Sequence, residues 1–386
     1  MHRRTFMLGT SAAASLSVIG EDVEAQTRRS RSRQRNEQPS PDQYRMKLGC
    51  QSMPSTDEHF QVFARYGVRN ISGRAKVADG RMYPTVAELE TLKQMAQRHG
   101  LSLDMLEPEI LNSTHIDRER HPGIMLGQDP DREREIEAFA TTLRNCAAVG
   151  IPCVKYNMSL LGVLRTAPVE GRGGSEYFGW DLAKAKPPTP LTRAGRVDTA
   201  EFWKRITYFL DRIVPIANET RVRIACHPQD PGTPPGGYQG IDNVLGTIEG
   251  LKRFVLINES PYHGLNFCQG SVCENLTDPA DQIFDVIRWF GERKKIFNVH
   301  FRNIHGARNK FNETFPDEGD IDMVRALRTY AEVGYDGMIM PDHVPGMDDP
   351  LVVEGKPVWT PRAENFAFAY GYIRGLLQSA QRAHAT

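Results

Sequence analysis

Residues 331–340 read AEVGYDGMIM, and three earlier stretches share the same grammar: ARYGVRNISG at 64–73, QRHGLSLDML at 97–106 and AAVGIPCVKY at 147–156. In each, a helical run halts at a glycine (Gly67, Gly100, Gly150, Gly334) and a β-rich run follows at once. Glycine ends helices because it enters the left-handed region with no Cβ to clash. The runs before these glycines place apolar residues at helical spacing, such as Leu89, Leu92 and Met95, or Ile136, Phe139 and Leu143. Helix–Gly–strand units repeated without hairpin signals imply parallel strands joined by crossovers.

Working outward gives eight strand candidates: 46–52, 68–73, 101–107, 152–158, 221–227, 265–270, 296–303 and 337–343. Eight parallel strands alternating with helices over roughly 250 or more residues predict a (β/α)8 TIM barrel. The rival is a doubly wound open sheet. It would want a glycine-rich phosphate loop after an early strand, and neither GxGxxG nor GxxxxGK[ST] occurs in the chain. LNFCQG (265–270) is the least secure strand, because FVLINES just before it competes for the same place.

The chain has 386 residues, 48 basic and 48 acidic, with 40% hydrophobic residues. That content supports one large core, and the balanced charge offers no electrostatic reason to expect nucleic acid or an anionic membrane as partner. No apolar run approaches the 18 or so residues of a membrane span. The N-terminus, MHRRTFMLGTSAAASLSVIG, sets Arg3 and Arg4 before a mildly apolar Ala/Ser stretch, with VEA before Gln26 as a cleavage site. This layout predicts a twin-arginine-type export signal over 1–25, hence the twin-arginine machinery as partner and a periplasmic or secreted location. Residues 26–43 are polar, basic and aperiodic and read as a tether. The barrel domain is expected over 44–386.

In a barrel, catalytic groups come from the C-terminal strand ends and the loops beyond them. The last four strands finish on His227, Cys268, His300 and Asp342, each a residue type that binds first-row metals. Taken singly, each has a dull reading: a satisfied polar residue, core filler, or a loop cap. Four of them on consecutive strands at one mouth point to a metal site. Two imidazoles, a thiolate and a carboxylate suit Mn²⁺, Zn²⁺, Fe²⁺ or Co²⁺ better than Ca²⁺ or Mg²⁺. Alternation turns His227 and Ala225 one way and Cys226 the other, so Cys226 reads as a structural thiol. If His300 points inward, so does Arg302, one step nearer the mouth. Arg302, Glu313, His343, His305 and Glu259 are expected to crowd the ligands.

At these residues a family resemblance becomes specific. HPQDPG (227–232), FCQGS (267–271), HFRNI (300–304), FNE (311–313) and PDH (341–343) occur in the order and rough spacing of the mannonate dehydratases, a branch of the xylose-isomerase-like barrels. LRT at 164–166 is similar to a further family element. The resemblance implies a divalent metal, typically manganese, held by His227, Cys268, His300 and Asp342, with His343 as an acid/base group. It implies dehydration of D-mannonate to 2-keto-3-deoxygluconate. The chain also departs from the family. Phe311-Asn312-Glu313 stands where Phe-His-Glu is usual, and KLGCQSMP (47–54) replaces a Trp-Arg-Tyr type run. VWTPRAENF (358–366) replaces a Gly- and Tyr-rich stretch carrying a functional tyrosine. The metal site is retained while the substrate wall is rebuilt.

Dehydrating a polyhydroxy acid means abstracting the proton beside the carboxylate and expelling the neighbouring hydroxyl. The enediolate-like charge needs a cation, and His343 has a suitable pKa for moving protons. Arg302 is expected to hold a carboxylate through paired hydrogen bonds, with Glu313 or Glu259 orienting a histidine or serving as second base. Isomerases, epimerases and keto-sugar lyases share these first steps and stay open as alternatives, as does a non-catalytic sugar-acid binder. The remaining cysteines show no CxxC spacing, and Cys50, Cys153 and Cys226 are expected to be buried in strands. A disulfide between Cys268 and Cys273 would abolish the metal site. A Gly/Pro-rich insertion at about 160–196 suits a lid, a homo-oligomer contact or plain surface elaboration.

Overall fold

A computed structural model describes residues 44–78, 80–187, 189–347, 352–353, 356–357 and 363–382, of which 352–353, 356–357 and 363–364 are described by backbone alone. The expected signal and tether at 1–43, and residues 358–362 of the VWTPRAENF stretch, lie outside the described residues.

All eight expected strands form. They are β1 (Lys47–Ser52), β2 (Asn70–Gly73), β3 (Ser102–Leu106), β4 (Cys153–Asn157), β5 (Arg223–His227), β6 (His263–Cys268), β7 (Ile296–His300) and β8 (Met338–Met340). Each pairs in parallel with its sequence neighbour, and β1 closes on β8 through Lys47 opposite Met338 and Leu48 opposite Ile339. The chain is therefore a (β/α)8 barrel. The competition before β6 resolves in favour of the later segment: Phe254 and Val255 are buried in the last turn of the amphipathic helix Ile248–Leu256, and the strand begins at His263.

Local chemistry sets the rhythm. Helix Val86–Arg98 starts with a full capping box, Thr85 accepting from the Glu88 amide and Glu88 accepting from the Thr85 amide. It stops where Gly100 turns left-handed at φ 69°, a conformation a Cβ would strain. The helices then bury their apolar faces on the outside of the barrel. Tyr156 of β4 packs edge-on to Phe139 at 5.4 Å and is tilted against Phe209 at 5.6 Å, all three fully buried. A Phe139→Ala change there would cost about 3–5 kcal/mol through lost burial and an unfilled cavity.

Strand alternation separates two environments. Cys226 packs in the layer beneath the helices, while Ala225 sits inside the barrel with Met105, Cys153, Phe297, Met338 and Met340. This apolar plug closes the barrel interior. Toward the C-terminal strand ends the inward positions turn polar: Glu107, Lys155, Asn157, Asn266, Asn298 and His300 are all buried. All six cysteines are buried and unpaired, so Cys268 and Cys273 form no disulfide.

The insertion after β4 is built into the mouth. Its strand Gly179–Asp181 pairs antiparallel with Lys310–Glu313, which pairs with Ile304–Ala307 in the loop beyond β7. Glu176 exchanges backbone hydrogen bonds of 2.8 Å with Gly346, beyond β8. The segment thus clasps both loops that carry Glu313 and His343.

Candidate metal centre

His227, Cys268 and His300 are the final residues of β5, β6 and β7, and Asp342 lies two residues past β8. Adjacent parallel strands in register carry these ends to one level, as in the pairing of His300 with Cys268. The four side chains offer ligand atoms that all lie within 4.8 Å of one another. Donors about 2.0–2.3 Å from one ion stand at most about 4.6 Å apart, so the quartet is nearly preset for a single cation.

Hydrogen bonding decides which atoms are free. His227 Nδ1 lies 2.6 Å from the Pro228 carbonyl oxygen; donating there, it leaves Nε2 as the lone pair. His300 Nδ1 is buried without a hydrogen-bond partner, though Asp342 Oδ1 is 3.3 Å away. The Asn266 side-chain amide sits 3.2 Å from His300 Nε2. Its oxygen accepts from the Asn298 amide at 2.5 Å, and Asn298 Oδ1 is itself unpartnered; with both amides turned over, Asn266 would offer its oxygen to that nitrogen, fix an Nε2–H and free Nδ1 for a metal. An orphaned buried nitrogen among a thiol, a carboxylate and a second imidazole fits a transition-metal ion well.

Electrostatics agree. Burial pushes the His227 pKa down to about 3, helped by His300 and Lys155, so the ring is neutral and ready to ligate. Burial also raises the Cys268 thiol well above its usual range, against the pull of Arg302. That thiol donates to Asp342 Oδ2 at 3.4 Å, while the Ser271 amide and hydroxyl approach the sulfur at 3.4 and 3.2 Å. Burial opposes ionisation of Asp342, but His343, His300 and Arg302 outweigh it and hold the carboxyl well below the usual range.

Beside the quartet lies an ion-pair network. Asp230, Glu313 and His343 also bring ligand atoms within 4.8 Å of one another. Two guanidinium groups occupy that space instead. Arg165 bonds Asp230 at 2.6 Å and also Glu313; Arg302 bonds Asp230 at 3.0 Å, Glu274 at 2.8 Å and also Glu313. Burial works against ionisation of Glu313, yet His343, Arg302 and Arg165 bring its pKa down to about 2. His343 Nδ1 sits 2.6 Å from Glu313 Oε1, and the partly exposed ring lines the cavity that also holds His227, His300 and Asp342.

Three expectations are corrected. Glu259 is 58% exposed and pairs with Lys295 at 3.6 Å, in the segment leading into β6 and so at the opposite end of the barrel. His305 points to solvent and bonds Asp320 at 2.8 Å, because it falls on the outward side of the loop strand Ile304–Ala307. Arg302 does point inward, but its guanidinium is fully buried among protein carboxylates and against His343 Nδ1, and is not presented to a substrate carboxylate. Sequence reasoning passed over Asp230, Arg165, Glu274, Lys155 and Glu107. The first two stand inside motifs already singled out, HPQDPG and LRT; the others carried no local signal.

Residues 178–386 match the family model for D-mannonate dehydratase (UxuA). All four members of the quartet, with Arg302, Glu313 and His343, lie in that span. A mannonate dehydratase of Thermotoga neapolitana is 28% identical over 360 residues, covering 82% of this chain and 92% of its own. Mannonate dehydratase 2 of Halalkalibacterium halodurans is 31% identical over 303 residues, 71% of this chain and 82% of its own. Among solved structures, the mannonate dehydratase of Streptococcus suis serotype 2 superposes with TM-score 0.72 at 24% identity, over 88% of this chain and 95% of that one. The 3-keto-D-glucoside 4-epimerase of E. coli superposes with TM-score 0.54 at 15% identity, over 86% and 99%. Both superpositions show the xylose-isomerase-like barrel fold.

Proposed function

The chain belongs to the mannonate dehydratase family of hydro-lyases, and from that premise we propose that it dehydrates D-mannonate to 2-keto-3-deoxygluconate. His227, Cys268, His300 and Asp342 would hold the divalent ion, and Mn²⁺ is the ion we assign. Bound there, it would withdraw electron density from a carboxylate and its neighbouring hydroxyl, making the α-proton removable. The chain's own groups do the rest. Glu313 holds the His343 ring by its Nδ1 edge and directs Nε2 to the cavity. Nε2 takes up the α-proton and supplies a proton to the departing hydroxyl. Arg165 and Arg302 keep Glu313 ionised, so that it remains an acceptor throughout.

The single observation that carries this reading is the convergence of the quartet with the His343–Glu313 pair in one cavity, within the span matched by the family model. The test is incubation of metal-analysed mature protein with Mn²⁺ and D-mannonate, following the 2-keto-3-deoxy acid. Product that vanishes in His300→Ala and Asp342→Ala supports substrate and ligands together. A protein that holds stoichiometric metal yet forms no product keeps the site and removes mannonate.

Export is proposed on the Arg3–Arg4 signal layout alone. It predicts that the mature chain, cut near residue 25, reaches the periplasm already folded. Self-association is likewise carried from the sequence and is read by light scattering of the mature chain.

A further inference from the structure

We propose that Lys155 is the anchor for the substrate's carboxylate and so sets the preference of this site for acids over neutral sugars. The proposal rests on the sugar-acid reading above and names the residue that recognises the acid. Lys155 lies on β4, outside the residues matched by the family model. Its inward strand position brings it into the cavity with His227, His300, Asp342 and His343.

Three observations converge on it. First, among the described residues Lys155 is the sole Lys or Arg lining that cavity. Arg165 and Arg302 both spend their guanidinium groups on Asp230 and Glu313. An anionic head entering the cavity therefore meets one fixed cation of the protein. Second, the ammonium is held in place. Its Nζ lies 3.0 Å from Gln51 Oε1 and 3.1 Å from Glu107 Oε1, and Ser72 Oγ donates to the same Glu107 oxygen at 2.9 Å. Each of the Lys155 and Glu107 side chains is less than a tenth exposed. Third, the ammonium has three donors and these contacts use two. The remaining N–H is left for the cavity that Lys155 lines. A carboxylate oxygen would complete it through a charge-assisted bond, and the Gln51–Glu107–Ser72 brace removes the ordering cost such a flexible side chain would otherwise bring.

The test compares the metal-loaded wild type with Lys155→Met, and with Lys155→Met/Glu107→Gln, which leaves no carboxylate stranded in the barrel. The probes are D-mannonate, other aldonates and uronates, and the matching neutral alditols. Binding is read by calorimetry, metal content by elemental analysis and folding by thermal melting. The expected result is a loss of acid affinity on the order of 10- to 100-fold, with alditol binding, metal content and the fold of the double variant retained. Equal acid binding in wild type and folded double variant overturns the proposal, and so does a wild type that binds alditols as tightly as acids. A Lys155-dependent preference for an acid other than mannonate upholds the anchor and overturns only the choice of mannonate.

Discussion

His343 Nδ1 and Glu313 Oε1 are 2.6 Å apart, one from the loop after β8 and the other from a strand in the loop after β7. Burial disfavours the imidazolium, but the Asp342 and Glu313 carboxylates outweigh it and raise the His343 pKa. Replacing Glu313 by Gln removes one raising charge. The limb of the pH–rate profile that reports His343 should therefore move to lower pH, with kcat down about 10²–10³-fold and metal content unchanged. An unmoved limb would show that Glu313 does not act through His343.

Metal binding should release a proton. The His227 ring is already neutral at pH 7 because its pKa is about 3, and Asp342 is ionised. The Cys268 thiol, raised by burial, must ionise to ligate. Calorimetric titration with Mn²⁺ or Zn²⁺ in buffers of different ionisation heat should give about one proton per ion, and affinity should rise about tenfold per pH unit below the thiol pKa. In Cys268→Ser the released proton should disappear along with most of the affinity.

Arg302 is expected to matter for stability more than for substrate. Changing it to Met strands Glu274 without a cation and leaves Asp230 and Glu313 to Arg165 alone. Breaking a buried network of this kind costs about 3–5 kcal/mol, which a denaturant midpoint would register. A clamp for substrate would instead raise KM while the midpoint held.

His263, at the start of β6, gives the fold a pH sensitivity apart from the metal site. Burial lowers its pKa to about 4 against an ordinary 6.5, and its Nε2 contacts the Phe254 carbonyl oxygen at 2.9 Å. Between those pH values the unfolded chain binds the extra proton. Stability should thus be full above pH 6.5 and fall by roughly 3 kcal/mol as pH drops through 4. His263→Gln should flatten that slope in acid denaturation, and an unchanged slope would assign it to other groups.

The barrel was legible because each of its units repeats a local rule. A helix ending at Gly100 or Gly150 and a strand starting within a few residues is information carried by a dozen neighbouring positions. The ligand quartet was legible for the same reason: strand alternation and barrel topology together say that the ends of β5 to β8 meet. Which way Cys226 faces followed from one-residue parity. His305 and Glu259 were misplaced because nearness in sequence to a strand end does not decide which side of a loop strand, or which end of the barrel, a residue occupies.

By itself, the sequence determined the fold class and the identity of the candidate ligands, since these rest on periodicity and residue type; His343 as an acid/base group came from the family resemblance, and its orienting carboxylate stayed open between Glu313 and Glu259. Only the tertiary structure decided what each charge is paired with. Arg165 and Glu313 are 148 positions apart and Lys155 and Gln51 104 apart, yet both pairs are in hydrogen-bond contact. A pairing across such separations is set by how the loops and inward strand positions meet at the mouth, and no local pattern encodes it. That is why Arg302, read as a hand for the substrate, turns out to be held by the protein, and why, among the described residues, the Lys or Arg that lines the cavity is Lys155, braced by Glu107 and Gln51.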